Sequence, residues 1–370
     1  MGSGVTALLV VAGLWALGFV FLYRVPVCRR TPVASPAFTL SVIVPARDEE
    51  DNLPGLLGSL TGQNPPPDEI IVVDDASQDR TAAVAQAGGA RVVKAPPLPV
   101  GWRGKTWACH QGAGQAIGSV LLFLDADTRI EPGALCAIRD TYARRPGVLS
   151  ICPYHAVRKF HEQASAFFNL LMTAGTGAFT LFGARIQPHG LFGPFLMVDR
   201  LAYLKIGGHE AVKGRILENF FMAPLFARAG VPMQCYGGRG AVSVRLYPHS
   251  LGELAAGWSK AFVTGAAQTP RGLLLTICAW MAGSLTAAGW LILSLLHGEH
   301  AALWLAVYGL YVVQIHSMLV RIGSFRWFVA PGYPVGILFY LLVFMRALVQ
   351  GWMKKDVAWK GRRINLAEEG

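Results

Sequence analysis

The sequence predicts an α/β domain with a mostly parallel sheet and helices on both faces, accompanied by transmembrane helices. Over residues 40–127, short apolar runs of strand length alternate with helical stretches, and three of these runs end next to charged residues. Long uncharged apolar segments lie near both ends of the chain. The composition agrees, because 53% hydrophobic against 15% charged residues is too apolar for a soluble protein of 370 residues.

The alternating pattern defines the elements in order. Strands are expected where apolar and β-branched residues run without charge, and helices where Leu or Ala recur at helical spacing. The predicted strands are 40–46, 68–77, 90–95 and 119–127, and the predicted helices are 49–63, 81–88 and 105–118. Strands joined by helices pair in parallel, so ligands are expected beyond the carboxyl ends of the strands.

The first apolar segment, residues 5–23, is long enough to cross a bilayer. A cleaved signal peptide is the alternative, but the basic residues Arg24, Arg29 and Arg30 follow the segment instead of preceding it. The charge pattern therefore favours an uncleaved anchor at the cell membrane, with the following domain in the cytoplasm.

Three further apolar stretches occupy 273–296, 301–320 and about 330–349. If all three cross after a cytoplasmic domain, the basic tail ends outside, which the charge rule disfavours. Pro331, Pro334 and Arg346 make the last stretch the least regular, so a re-entrant or interfacial segment is expected among the three. The predicted organisation is an anchor (1–30), a cytoplasmic domain (38–250), an interfacial helix (250–270), a transmembrane region (271–351) and a basic tail (352–370).

The glycine-rich stretch GAGQAIG (112–118) superficially matches a dinucleotide-binding fingerprint. That fingerprint follows a strand and opens a helix, whereas this stretch closes a predicted helix before a strand. Close packing of the helix or of a turn is the favoured interpretation.

Polar residues follow three predicted strands: Arg47 after the first, Asp74 and Asp75 at the second, and Asp125 and Asp127 at the fourth. Alternation along a strand would direct Asp125 and Asp127 to the same side, and like charges that close require a cation or a proton between them. An acidic residue can also cap a helix, and Asp75 or Ser77 are candidates for that role.

An ordered set of motifs resembles family 2 glycosyltransferases with the GT-A fold. The set comprises SVIVPARDEEDNLPGLLGSL, DEIIVVDDASQDRT, GWRGKTWACHQG, VLLFLDADT, GPFLMVDRLAYLKIGGHEAV and LENFFMAPLFARAG, which together span about 39–250. The apolar segments and the tail WKGRRI (359–364) narrow the resemblance to the lipid-modifying members, most closely those acting on carotenoid acids, then hopanoid-pathway and ceramide enzymes.

The resemblance implies a UDP-sugar donor, a lipid acceptor, transfer of one sugar with inversion, and Mg²⁺ or Mn²⁺ held by Asp125 and Asp127. These metals are hard cations that take carboxylate and phosphate oxygens together. Lys105, at a predicted helix start, is implied to face the phosphates, with a solvated lysine as the alternative. His209 or Glu210 is implied to contact the sugar or diphosphate, unless they form a turn without chemistry. The residues implied at the nucleobase and ribose are Pro45, Arg47, Glu49, Asp74 and Asp75.

The pair Glu218–Asn219 departs from the family pattern, in which a Glu-Asp pair supplies the general base as its Asp. An amide cannot take a proton. Either Glu218 replaces the base and the acceptor is a lipid hydroxyl, or the acceptor is a carboxylic acid that is already ionised and needs no base. The second hypothesis is favoured. A non-catalytic module that binds nucleotide sugars is the alternative of another class.

Residues 250–270 are predicted to form a helix along the bilayer surface, with Trp258 and Phe262 facing acceptor or membrane; a core helix of the soluble domain is the alternative. GWSKAF occurs where processive relatives carry Gln-x-x-Arg-Trp, which favours single-sugar transfer. The apolar run 166–184 is expected to form a rim of the domain rather than a crossing. The basic pairs Arg144–Arg145 and Arg158–Lys159 favour anionic lipid headgroups over nucleic acid, given the adjacent spans.

Overall fold

The computed structural model describes residues 2–30, 38–183, 186–353, 356–359 and 362–365, with side chains described from 6 onward except at 260–264 and beyond 349. The strands are β1 (Leu40–Ala46), β2 (Glu69–Asp74), β3 (Arg91–Lys94), β4 (Val120–Leu124), β5 (Thr128–Ile130), β6 (Val148–Cys152), β7 (Tyr154–His155), β8 (Phe195–Asp199), β9 (Met233–Gly237), β10 (Val242–Val244), β11 (Asp356–Trp359) and β12 (Arg362–Asn365).

Helices occur between the strands and dominate the ends of the chain. They are α1 (Gly2–Ala16), α2 (Gly18–Phe21), α3 (Leu53–Thr61), α4 (Thr81–Ala87), α5 (Gly104–Gln115), α6 (Ala134–Arg144), α7 (Ala166–Gly175), α8 (Arg200–Lys205), α9 (Glu218–Arg228), α10 (Leu251–Gln268), α11 (Arg271–His297), α12 (Ala301–Ile322) and α13 (Tyr333–Met353). Short 3₁₀ helices occupy His161–Ser165, Gly208–Val212 and Trp327–Val329.

The described residues divide into two compact units. The sheet unit comprises Pro26–Ala156, Gln187–Leu246 and Gln350–Gly370, and the apolar-helix unit comprises Met1–Val25, Val157–Ile186 and Tyr247–Val349. The predicted boundaries assigned 157–186 to the domain spanning 38–250. In the structure this segment belongs to the apolar-helix unit, where Phe168 of α7 packs against Trp258, Phe339 and Tyr340.

The larger sheet of the sheet unit contains seven strands among the described residues, in the order β3-β2-β1-β4-β8-β6-β9. Pairing is parallel from β3 through β4 and antiparallel on both sides of β8. The mostly parallel α/β prediction is confirmed, because strands β1 to β4 alternate with helices. Helix α3 is shorter than predicted, since it begins at Leu53 with Pro54 in its first turn.

Both faces of this sheet are covered, as a continuous apolar run in a strand requires. Successive β1 residues enter opposite cores: Val42 and Val44 pack with Leu56 of α3, and Ile43 packs with Ala108 of α5. Gly112 lets α5 approach closely, because a Cβ there would lie 2.4 Å from Ile43 Cγ2. The packing interpretation of GAGQAIG is therefore confirmed.

In the apolar-helix unit, α11 and α12 are the described helices that are long and apolar enough to cross a membrane. The shorter apolar stretches Thr6–Phe21 and Tyr333–Val349 fall below that length. Length and composition thus support membrane association weakly, and the predicted number of crossings stays a prediction.

Candidate active site

The carboxyl ends of β1, β2 and β4 meet at one edge of the sheet, because these strands pair in parallel with Ala46 opposite Asp74. Arg47 bridges the first two ends: its Nη1 donates to the backbone oxygen of Asp75 at 2.8 Å, while the amide of Asp75 donates to Ala46 O at 2.9 Å. The fold therefore brings the predicted nucleobase and ribose residues of β1 and β2 together.

The loops after β1 and β2 hold each other through side chains. Asp74 Oδ1 accepts from the amide of Ser77 at 3.0 Å, and the amide of Glu49 donates to Thr81 Oγ1 at 2.8 Å. Helix α4 begins only at Thr81, so neither Asp75 nor Ser77 caps it. Asp75 is buried at 4% exposure at this edge. The roles of Pro45, Arg47, Glu49, Asp74 and Asp75 in donor binding stay predictions.

Asp125 and Asp127 lie in a tight turn between β4 and β5, not on a strand. Thr128 fixes this turn, because its amide and its hydroxyl both donate to Asp125 O, at 3.1 and 2.7 Å. Strand alternation was therefore the wrong reason for expecting the two carboxylates to lie together. The turn achieves the proximity instead, and the Asp125 charge contributes to the raised pKa of Asp127.

Asp127 carries a buried carboxylate oxygen, Oδ1, that accepts no hydrogen bond from any part of the chain that the structure describes. Burial, and then the charges of Asp125 and Glu49, raise the pKa of Asp127 to about 7, despite the opposing effect of Lys105. A bare oxygen among acids suits a divalent cation with oxygen ligands. No group of three His, Cys, Asp or Glu side chains able to hold an ion occurs in the described ranges.

Lys105 stands between two carboxylates at the start of α5. Its Nζ lies 2.8 Å from Asp125 Oδ1 and 3.0 Å from Glu218 Oε1. Burial disfavours the ammonium charge, but the Asp125 and Glu218 carboxylates outweigh burial and raise the pKa of Lys105 above its usual range. Lys105 is therefore not a solvated surface lysine. It is a charged member of a pocket that is also lined by Asp125, Glu218 and Asn219.

Glu218 and Asn219 open helix α9 and are both buried, at 3% and 4% exposure. Asn219 Nδ2 donates to Glu218 Oε1 at 3.1 Å, which fixes the orientation of the amide. Asn219 Oδ1 is buried without a hydrogen-bond partner in the described structure. The same Glu218 oxygen thus contacts both an ammonium and an amide N–H.

His209 joins this pocket, whereas Glu210 is exposed outside its lining. The His209 ring packs edge-on against Phe123, and its Nδ1 lies 2.9 Å from the hydroxyl of Tyr203. Burial, followed by the charges of Lys105 and His110, lowers the pKa of His209 to about 3. The His209 ring is therefore neutral at physiological pH, and its contact with donor or diphosphate stays a prediction.

Several pocket residues escaped sequence reasoning. The lining also includes Cys109, Phe123, Leu124 and Gly193. Cys109 follows Lys105 by one helical turn, and that spacing could have identified it. The sequence contains no comparable signal for Gly193, because its role depends on Asn219 of α9 and Lys105 of α5, which tertiary packing places next to it.

Gly193 leaves room for the polar groups of the pocket. A Cβ at this position would lie 3.1 Å from Asn219 Nδ2 and 3.6 Å from Lys105 Nζ. We expect Gly193→Ala to displace the Asn219 amide and lower sugar transfer about tenfold, or ~1.4 kcal/mol, with the fold retained. Gly114→Ala is the matched control, since nothing lies within 4 Å of a Cβ there. Equal activities of the two variants would contradict this role.

Trp258 belongs to the apolar-helix unit and is buried, with its ring stacked on Phe168 and near Tyr247. The side of α10 that carries Trp258 therefore packs within the apolar-helix unit, and not in the sheet unit as a core helix of the soluble domain would. Phe262 lies in α10, but its side chain falls outside the described residues. A contact of either residue with acceptor or membrane stays a prediction.

Comparison with known proteins identifies the class. The Glycosyl transferase family 2 model matches residues 41–194. Proteins named 4,4'-diaponeurosporenoate glycosyltransferase are 35% identical over 337 residues in Staphylococcus haemolyticus and 33% identical over 336 residues in Staphylococcus aureus, covering 89% of this chain and 89% of each relative. The chain therefore belongs to glycosyltransferase family 2, and the resemblance drawn from the motifs is confirmed.

The fold agrees with that membership. A mannosyltransferase from Pyrobaculum calidifontis, PcManGT, solved in complex with GDP-Man and Mn²⁺, superposes with a TM-score of 0.57 at 17% identity. The match covers 94% of this chain and 98% of the other. A mixed α/β fold of the GT-A type is thus shown for this chain.

Proposed function

We propose that this glycosyltransferase moves one sugar from a UDP-sugar to an apolar carboxylic acid of the carotenoid type, forming a glycosyl ester. A carboxylate oxygen of the acceptor forms a bond to the anomeric carbon, the bond from that carbon to the diphosphate breaks, and UDP leaves. The acceptor loses no proton in this step because it is already ionised. Inversion at the anomeric carbon is expected from the family.

The state of Glu218 and Asn219 carries the proposal. Asn219 occupies the position at which the family pattern places a basic Asp, and its amide cannot accept a proton from an alcohol. Glu218 is engaged through Oε1 with both Lys105 and Asn219. With Oε1 held by these two partners, the Glu218 carboxylate is already committed to contacts within the pocket, which suits an acceptor that needs no base. The names of the relatives support the same acceptor class.

The donor is assigned to the edge formed by β1, β2 and β4. Asp125 and Asp127 would hold Mg²⁺ or Mn²⁺, and the ion would supply charge neutralisation for the departing diphosphate. Lys105 adds a fixed positive charge next to Asp125, 2.8 Å away. The buried oxygen of Asp127 supports this assignment, because it lacks any other partner in the described structure.

The apolar helices support attachment to the cell membrane. Arg24, Arg29 and Arg30 follow the first apolar segment, which assigns the sheet unit to the cytoplasm by the positive-inside rule. An apolar acceptor dissolved in the bilayer agrees with such a location.

The acceptor class is tested by offering UDP-glucose and other UDP-sugars with an isoprenoid acid and with its matching alcohol. We expect product from the acid, and we expect mild alkali to cleave that product because an ester is labile where a glycoside is not. Mass spectrometry of the purified protein's products measures both. A preference for the alcohol, or an alkali-resistant product, would support transfer to a lipid hydroxyl with Glu218 as base and contradict the proposal.

A further inference from the structure

One end of the apolar-helix unit collects basic residues. Helices α11 and α12 pair antiparallel, because Trp280 donates to Gln314 at 2.8 Å and Trp290 stacks on Trp304 at 5.3 Å. This pairing places Arg271, at the start of α11, at the same end as the residues that follow α12.

The first apolar segment ends there as well. Gln314 Nε2 donates to Trp15 O at 3.0 Å, and Arg321 Nη1 donates to Tyr23 O at 2.7 Å, so α1 and α2 run alongside α12 in the same direction. Arg24 follows directly. The opposite end of the α11–α12 pair, residues 298–300, carries Glu299 and neither Lys nor Arg. The asymmetry favours the basic end as the cytoplasmic face of a bilayer.

At this basic end, the loop that follows α12 is hydrogen-bonded to the segment 157–163. The amide of Val157 donates to Ser324 Oγ at 2.8 Å, and the amide of Arg326 donates to Gln163 Oε1 at 3.0 Å. Phe160 and Phe328 stack between the two segments with ring centroids 5.8 Å apart. The two loops therefore form one surface, here called the aromatic-basic patch, whose residues are Arg158, Lys159, Phe160, Arg326, Trp327 and Phe328.

The patch exposes large aromatic side chains next to cations. Phe160 is 76% exposed and Trp327 is 74% exposed, while Arg158 and Arg326 are exposed beside them. Aromatic rings of this kind are unfavourable in water but are enriched at the level of lipid headgroups. Arginine and lysine at the same level attract anionic lipids.

We propose that the aromatic-basic patch lies in the headgroup layer at the cytoplasmic side of the bilayer and binds anionic phospholipids. Its position at the end of a helix apolar enough to span the membrane, and its combination of exposed rings with exposed cations, select a lipid surface as the occupant. The patch is independent of the sugar-transfer chemistry.

The contribution of the arginines to lipid binding is tested by measuring melting temperatures of the full-length protein in nanodiscs. We expect a higher melting temperature with phosphatidylglycerol present than in phosphatidylcholine alone, and we expect the double variant Arg158→Gln with Arg326→Gln to lose at least half of that difference. The control double variant, Arg228→Gln with Arg239→Gln, removes the same charge from exposed positions of the sheet unit. We expect this control to retain the melting-temperature difference between the two lipid compositions. Inorganic phosphate added to phosphatidylcholine discs should not reproduce the effect. An unchanged difference in the patch variant, or none in the natural protein, would overturn the proposal.

Fluorescence tests the aromatic component separately. The difference between the natural protein and Trp327→Phe isolates the emission of Trp327. We expect brominated lipids to quench this emission and aqueous iodide to leave it nearly unchanged, although the side chain is open on the surface of the protein itself. Quenching by iodide without quenching by brominated lipid would show that Trp327 lies in water and overturn the proposal.

Discussion

Asn219→Asp is expected to lower kcat/KM for an acid acceptor about 100-fold and to raise transfer to the matching alcohol above background. The new carboxylate would lie next to the acceptor carboxylate, and two like charges at about 4 Å cost roughly 4 kcal/mol at an effective dielectric constant near 20, part of which Lys105 offsets. For the alcohol, the same carboxylate supplies a base. Measuring kcat/KM of the natural protein and the variant with both acceptors shows whether the preference shifts from the acid to the alcohol.

Asn219→Ala is the control for this prediction, because it removes the amide without adding charge. We expect it to lower acid transfer less than tenfold, or ~1.4 kcal/mol. If the Ala and Asp variants lose transfer to the acid equally, and neither shows increased transfer to the alcohol, residue 219 does not determine which acceptor is used. Melting curves of both variants show whether the fold is retained.

Asp127→Asn is expected to reduce sugar transfer and metal-dependent hydrolysis of the UDP-sugar by roughly 1000-fold, in line with the loss of an electrostatic catalytic contact. The same change should raise the melting temperature of the metal-free protein at pH 8. The reason is that burial and neighbouring acids raise the pKa of Asp127 to about 7 in the folded chain, so its ionisation opposes folding above the pKa of the unfolded state.

The gain in stability depends on pH in a defined direction. It should be largest above pH 7, where the natural carboxyl is ionised, and should shrink toward pH 5, where that carboxyl is protonated in the folded state. Asp51→Asn serves as the control, since Asp51 is an exposed acid on the same unit. A lower melting temperature of Asp127→Asn at pH 8 would contradict the described electrostatics, and retained hydrolysis would contradict the role assigned to Asp127. Absence of metal-dependent hydrolysis in the folded natural protein would favour a non-catalytic module.

The first four strands of the sheet unit could be predicted within a few residues, and three of them, β1, β2 and β4, are largely buried apolar runs. The run at 40–46 coincides with β1, and 119–127 contains β4. Parallel pairing then implied that the residues following β1, β2 and β4 meet at one edge. These conclusions need only local pattern and chain connectivity.

Contacts formed by tertiary packing could not be predicted in the same way. Nothing in the spacing of Lys105 and Glu218 shows that they lie 3.0 Å apart, since the contact depends on how α5 and α9 cover one face of the sheet. Trp258 has the helical spacing of a surface helix, yet it is buried against Phe168 from a distant segment. The turn at Asp125–Asp127 likewise depends on Thr128, which the alternation argument ignored.

The roles assigned to the pocket all require the donor diphosphate and its divalent ion to lie at the turn that follows β4. The most direct test is an experimental structure of the protein with UDP-sugar and Mn²⁺, in which anomalous scattering locates the manganese. We predict a manganese peak bonded to a carboxylate oxygen of Asp127, with the diphosphate beside Lys105. A peak bound elsewhere, or a donor bound without any ion near Asp125 and Asp127, would contradict this account.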